Sequence, residues 1–112
     1  MMTILAFDAD PGVRLTARRV LERAGFTVIT AADRRSVLAC LASLKVDLVI
    51  CDIDEDRSSG PTLRDSGNWD PGMRMLVLSR KDLSGPAPVT CDDGLLSKPF
   101  TESELLTAVR GH

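Results

Sequence analysis

Five polar residues of this 112-residue chain lie where short apolar runs end, and their types suit phosphoryl or metal chemistry. They are Asp8 and Asp10 after the first run, and Asp52, Ser79 and Lys98 at the ends of three later runs. Two carboxylates about 4 Å apart repel each other by roughly 4 kcal/mol at an effective dielectric of 20. If these acids meet, they need a positive partner, which Lys98 or a divalent cation such as Mg²⁺ would supply. A carboxylate can also act as a nucleophile toward a phosphoryl group, whose charge a metal, a lysine and a hydroxyl would then share.

The histidine and cysteine content limits the kinds of catalytic and metal-binding site that the chain can form. His112 is the only histidine, which argues against Ser-His-Asp and Cys-His catalysis and against histidine-based zinc sites. Cys40, Cys51 and Cys91 show no metal-ligand spacing, and we interpret them as buried free thiols in a reducing cytoplasm. Carboxylates, hydroxyls and one lysine are left to carry any chemistry.

The composition predicts one globular domain over residues 1–112, since 44% of the residues are hydrophobic and 27% are charged. A net charge of −2 argues against a nucleic-acid-binding coat or a polybasic membrane patch. No apolar run approaches the roughly 20 residues that span a bilayer, and the N-terminal segment lacks the basic residues of a signal peptide. We therefore expect neither nucleic acid nor membrane among the partners of this domain.

Strand-like and helix-like patterns alternate along the chain. Apolar or β-branched runs predict five strands, over residues 4–7, 27–30, 47–52, 75–79 and 95–97. Asp10 and Pro11 are typical of the start of a first helix, and Gly25 is typical of its end. The outer face of that helix is predicted to carry mainly its arginines, Arg14, Arg18, Arg19 and Arg23.

Two further helices have clear start signals. Asp33 is predicted to cap the second helix, whose apolar positions are Val37, Leu38, Leu41 and Leu44. Thr101 and Glu104 form a capping box before the last helix, whose predicted buried face is Leu105, Leu106 and Val109. Glycines and prolines predict only a short helix near residues 61–66 and no regular helix over residues 80–92.

This alternation predicts an open, doubly wound α/β fold of the flavodoxin-like (βα)5 type, with short or irregular third and fourth helices. In such a fold the ligand site lies at the carboxyl ends of the parallel strands, where the strand order reverses. The five polar residues would then meet at one edge of the sheet. The alternative is that each is a helix cap or a solvated loop residue, and Asp10 in particular is predicted to be a cap.

The order of these segments resembles the receiver domain of two-component response regulators over essentially the whole chain. The matching segments are 4–11, 47–52 with Gly60 eight residues on, 76–79 and 98–100. The resemblance implies that Asp52 accepts a phosphoryl group from a sensor histidine kinase or a phosphotransfer protein. It implies that Asp8 belongs to an acidic pocket for Mg²⁺, that Ser79 hydrogen-bonds the phosphate, and that Lys98 pairs with a phosphoryl oxygen. An output domain in a longer chain is also implied.

The match departs from the family pattern at the acidic pocket. The family usually has two adjacent acids after the first strand, and the second is the direct metal ligand, whereas this chain has Asp8-Ala9. The candidate metal ligands are therefore Asp8, Asp52, Asp10 if it gives up its cap, and Asp54 through its backbone carbonyl. The carboxylate of Asp54 or Asp56 could replace the missing ligand if their loop folds back over the site. We predict weak Mg²⁺ binding for this reason.

Two alternatives stay open at this point. Ala9, and Leu95 in place of the family's aromatic switch residue, favour a pseudo-receiver that binds a partner protein without phosphorylation. Asp8 and Asp10 also resemble the first motif of haloacid-dehalogenase-type phosphatases, in which Asp8 would be the nucleophile and Asp10 the general acid. Ser79 and the pair Asp92-Asp93 would loosely fit later motifs of that family. Lys98 follows that acid pair instead of preceding it, and the chain is short for that fold. We therefore expect a signalling module and not an enzyme that turns over a separate substrate.

Overall fold

A computed structural model of the chain describes residues 2–52, 72–80, 95–98 and 100–110. Its strands are β1 (Thr3–Phe7), β2 (Thr27–Ala31), β3 (Leu48–Asp52), β4 (Arg74–Arg80) and β5 (Leu95–Lys98). Its helices are α1 (Pro11–Arg23), α2 (Arg34–Ser43) and α3 (Glu102–Arg110). The segments with the predicted short helix near residues 61–66 and the predicted irregular helix after residue 80 lie outside the described residues.

The five strands form one parallel sheet in the order β2-β1-β3-β4-β5. The strand order reverses between β1 and β3, because β2 lies on one side of β1 and β3 lies on the other. This confirms the predicted doubly wound α/β fold. It also places the topological switch point between the strands that end near Asp8 and Asp52.

Both faces of the sheet are covered by helices, and side chains alternate between them along each strand. Leu5 and Phe7 of β1 pack with Val37 and Leu41 of α2 on one face. The opposite face packs against α1 and α3, and its buried residues include Ile4, Ala6, Leu21, Leu48, Ile50, Leu105 and Val109. No helix in the described part of the chain is long and apolar enough to cross a membrane.

The predicted helix caps are confirmed. Asp10 is the N-cap of α1, and its Oδ1 accepts a hydrogen bond of 2.8 Å from the N–H of Gly12. Gly25, with a φ of 99°, follows the C-cap of α1 in the left-handed region that glycine favours. Thr101 and Glu104 form the reciprocal capping box, with hydrogen bonds of 2.9 and 3.1 Å between side chain and backbone.

Two details differ from the sequence-based expectation. Leu44 is 50% exposed and is not part of the apolar face of α2, because it is the extended C-cap residue beyond the last helical turn. Asp47 lies just before β3 and not in it. Its Oδ2 accepts from the N–H of Thr3 at 2.8 Å, and its own N–H donates to the carbonyl of Thr3 at 2.9 Å. Asp47 therefore ties the start of β1 to the start of β3.

The cap of α2 should give the stability of the domain a measurable acid dependence. The backbone N–H of Ser36 donates to Asp33 Oδ1 at 2.8 Å. This bond, together with a side-chain hydrogen bond from Ser36, holds the pKa of Asp33 below its ordinary value. The stabilisation is therefore present above the ordinary pKa of an aspartate and is lost as the pH falls through the lowered folded value.

We expect Asp33→Ala to lower the free energy of unfolding at neutral pH, and the difference from wild type to vanish in strong acid. Denaturant unfolding of both proteins across this pH range measures the difference. Asp33→Asn is the control, since asparagine also caps helices but does not titrate. A deficit in the alanine variant that is the same at every pH would contradict a contribution from the charged cap.

Candidate functional site

Two aspartates lie side by side at the carboxyl edge of the sheet. Phe7 and Cys51 are register partners on β1 and β3. Asp8 directly follows β1, and Asp52 is the last residue of β3. Neighbouring strands in a sheet lie about 4.8 Å apart. Asp8 and Asp52 are 5% and 7% exposed, and among the described residues they are the only buried charged ones. Buried carboxylates are rare without partners, so this pair marks the site.

The alternation of side chains puts both aspartates on the same face of the sheet. Ile4 and Ala6 of β1, and Leu48 and Ile50 of β3, belong to the cluster covered by α1 and α3. Continuing that period of two along both strands brings Asp8 and Asp52 to the same face. The N–H of Asp8 still donates to the carbonyl of Ala31 at 3.3 Å, so the backbone there continues the ladder with β2.

The loop after β1 supports the carboxylate of Asp8. Asp8 Oδ1 accepts a hydrogen bond of 2.9 Å from the N–H of Asp10, which closes a tight turn between a side chain and the backbone two residues on. A buried carboxylate needs such donors, since burial without them costs several kcal/mol at least. One oxygen of Asp8 is therefore engaged by its own loop.

The next two residues of this loop do not bring a second acid to the site from β1. Ala9 is exposed and carries only a methyl group. Asp10 is exposed, and its Oδ1 accepts from the N–H of Gly12 as the cap of α1. Binding a metal through Asp10 would compete with this cap, which is worth about 1 kcal/mol.

The sheet register places the other predicted site residues only by their backbone. Asp52 is the partner of Leu78, so Ser79 lies one residue further along the neighbouring strand β4. Lys98 is the last residue of β5 and the partner of Arg80. Both are thus at the same edge of the sheet as Asp8 and Asp52. The predicted contributors Asp54, Asp56, Asp92 and Asp93 lie outside the described residues.

The donor set at this edge fits Mg²⁺. This ion prefers oxygen ligands, and in proteins it is usually held by one or two carboxylates while it keeps several waters. Asp8 and Asp52 supply two carboxylates. Within the described residues there is no group of three or more acids, histidines or cysteines placed to hold a metal.

One contributor to the site was missed by the sequence reasoning. Arg14 was predicted on the outer face of α1, but its Nη1 reaches back and donates to the carbonyls of Asp8, at 2.6 Å, and Ala9, at 3.1 Å. The available signal was its position one helical turn after the cap residue Asp10, from which a long side chain can reach the preceding loop.

The fold and this pair of acids define a signalling domain of one family. The sequence pattern of the response regulator receiver domain matches residues 4–110, and the chain belongs to that family. It is therefore a receiver domain of two-component signalling. Members of this family take phosphoryl groups from kinases and typically bind Mg²⁺ at the phosphorylation site. The family match does not favour the dehalogenase-like alternative.

Individual proteins show the same relationship. The chain is 28% identical to protein PilG of Pseudomonas aeruginosa, covering 99% of this chain and 87% of PilG. It is 35% identical to the response regulator MprA of Mycolicibacterium vanbaalenii, covering 96% of this chain and only 48% of MprA. The structure of the chemotaxis response regulator CheY4 of Vibrio cholerae matches 99% of this chain and 98% of its own, with a TM-score of 0.77 and 25% identity.

Proposed function

We propose that this domain accepts a phosphoryl group on Asp52 from a sensor histidine kinase or a phosphotransfer protein. The observation that carries the proposal is the buried pair Asp8 and Asp52 at the switch point of the sheet. Phosphorylation would add about 1.5 to 2 negative charges beside Asp8, and so would change the electrostatics of this edge strongly.

Asp52 is a better phosphoacceptor than Asp8 for a local reason. Asp8 Oδ1 accepts the N–H of Asp10, which lowers its nucleophilicity and holds it in the loop. Asp52 is the last residue of the central strand β3. In the proposed step a carboxylate oxygen of Asp52 forms a bond to phosphorus while the bond from phosphorus to the donor's imidazole nitrogen breaks. The leaving nitrogen keeps that electron pair.

The other residues have supporting roles in this proposal. Asp8 and Asp52 would hold Mg²⁺, with Asp54 as a further oxygen donor and Asp10 only at the expense of its cap. The bound ion would neutralise the charge that the transferred group brings. Ser79 would hydrogen-bond the phosphoryl oxygens, and Lys98 would pair with one of them. Because β1 delivers one acid to the site, we propose a Kd for Mg²⁺ in the millimolar range or weaker, roughly −4 kcal/mol.

Mass spectrometry after incubation with a small phosphodonor tests the proposal. We expect the addition of one phosphate in the presence of Mg²⁺, mapped to the peptide that contains Asp52, and much less in a chelator. A chain that gains no phosphate at saturating Mg²⁺ would instead be a pseudo-receiver. Turnover of a small phosphate ester that requires Asp8 and not Asp52 would identify the dehalogenase-like activity.

A double-mutant cycle tests the electrostatic role of Lys98. A solvated surface lysine changed to alanine usually alters stability by less than about 0.5 kcal/mol. If Lys98 offsets the charge of the acids, Lys98→Ala should destabilise the wild type by more than that. It should then cost less in the Asp52→Asn background, with a coupling of about 0.5 kcal/mol or more measured by denaturant unfolding. If the effects of Lys98→Ala and Asp52→Asn on the free energy of unfolding were additive, Lys98 would be a solvated surface lysine without this electrostatic role.

We further propose that the domain is part of a longer cytoplasmic regulator. The chain spans about half the length of MprA, which leaves room for an output domain in a longer regulator. Cys51 is buried as predicted, whereas Cys40 is only partly buried, and neither forms a disulfide. This is in keeping with a reducing cytoplasm, where we place the domain. Its only catalysis would be transfer of the phosphoryl group to itself and its subsequent hydrolysis.

A further inference from the structure

We propose that Arg14 is a positioning residue for the acidic pocket. It fixes the peptide between Ala9 and Asp10, and the N–H of that peptide holds the carboxylate of Asp8 in its buried position beside β3. The proposal rests on the proposed function, because it assigns Arg14 a role in the same Mg²⁺ and phosphorylation site.

The contacts form a chain from the helix to the acid. Arg14 lies on α1 and is partly buried. Its Nη1 donates to the carbonyl of Ala9 at 3.1 Å and to that of Asp8 at 2.6 Å. The N–H of Asp10 donates to Asp8 Oδ1 at 2.9 Å. The carbonyl of Ala9 and the N–H of Asp10 belong to one rigid peptide group. The hydrogen bond from Arg14 to Ala9 and the hydrogen bond from Asp10 to Asp8 are therefore coupled through that group.

The geometry of that peptide group explains the coupling. A trans peptide is planar, and its C=O and N–H point in opposite directions. When Arg14 attracts the carbonyl of Ala9 toward α1, the N–H of Asp10 is turned the opposite way, toward the carboxylate of Asp8. The positive guanidinium also polarises the peptide, which strengthens the hydrogen bond made by its N–H. Arg14 thereby helps to hold the carboxylate of Asp8 in place without having to contact it.

Asp8 is especially dependent on such support in this chain. The residue after it is Ala9, and Asp10 is engaged as the helix cap. Asp8 is therefore the one carboxylate that β1 contributes to the buried site. A displacement of Asp8 would not be compensated by a neighbouring acid from the same loop. Residues that orient a metal ligand typically contribute 10-fold to 100-fold to affinity or activity, which is about the scale expected here.

The test compares three variants of the same domain. Arg14→Ala removes the contact, and Arg14→Lys retains a positive donor. Arg19→Ala is the matched control, since it makes the same substitution and charge change at an exposed position of α1. The readouts are the NMR shift of the Asp10 amide proton without metal, Mg²⁺ affinity by titration with the metal alone, and the rate of Asp52 phosphorylation. Thermal unfolding of each variant reports its stability separately.

We expect Arg14→Ala to move the Asp10 amide proton upfield, as a weaker hydrogen bond does, and to weaken Mg²⁺ binding about tenfold. Arg14→Lys should recover part of both effects, and Arg19→Ala should resemble the wild type. An unmoved Asp10 amide, or equal Mg²⁺ affinity in Arg14→Ala and Arg19→Ala, would overturn the proposal. If Arg14→Ala does not fold, Arg14→Lys decides, because its imperfect fit should still shift the amide. A wild type that is never phosphorylated would refute the proposed function, while the amide shift still tests Arg14.

Discussion

Asp52→Asn should abolish phosphorylation of this domain by a small phosphodonor, while the wild type gains one phosphate. The amide keeps the size of the side chain but cannot supply the anionic oxygen that forms the bond to phosphorus. Asp52 is buried at the end of β3, so the substitution also removes one of two adjacent charges. The fold should therefore survive, and the free energy of unfolding should be equal to that of the wild type or higher. Intact-protein mass spectrometry measures the labelling.

A control with the same chemical change separates the loss of the acceptor from the loss of a charge. Asp33→Asn removes one negative charge at the exposed cap of α2 and retains a capping side chain. We expect it to be labelled like the wild type. Equal labelling of Asp52→Asn would show that another residue accepts the phosphate, and Asp8→Asn would then be the next variant to compare.

Ala9→Asp should strengthen Mg²⁺ binding and accelerate phosphorylation of Asp52. The new carboxylate would follow Asp8 directly, at the position where the family usually has its direct metal ligand. A further negative oxygen ligand compensates part of the dehydration that Mg²⁺ resists. An increase in affinity of about tenfold corresponds to about 1.4 kcal/mol. Isothermal titration measures the affinity, and mass spectrometry over time measures the rate.

The matched control for this change is Ala9→Asn, because the asparagine side chain has nearly the same size as that of aspartate but no charge. Ala9 is exposed, and its carbonyl rather than its side chain contacts Arg14, so both substitutions leave that contact available. We expect the asparagine variant to bind Mg²⁺ only slightly better than the wild type. Tight binding by the wild type, or no gain with Ala9→Asp, would mean that another acid already replaces the missing ligand. Asp54 and Asp56 would then be the residues to test.

The local signals in the sequence were reliable wherever a few neighbouring residues decide the structure. Asp10 and Asp33 were predicted as caps, and each accepts a backbone N–H at the start of its helix. The capping box of Thr101 and Glu104 is present with both hydrogen bonds. Capping depends on side chains that reach only two or three residues along the chain, so the information is contained in the segment itself. The prediction for Leu44 was wrong, because the spacing of apolar residues does not indicate where the last turn of a helix ends.

The class of fold, the family and the polar residues that end the strands could be predicted from the sequence, because period, turn residues and residue order are properties of the chain alone. The position of β1 between β2 and β3 was visible only in the folded domain, and it makes Asp8 and Asp52 neighbours although more than forty residues separate them. Only it showed that both acids are buried on one face, and that Arg14 turns back to the loop instead of facing water. Burial and such contacts depend on which surfaces the packed elements cover, and a long side chain has several rotamers that sequence does not distinguish.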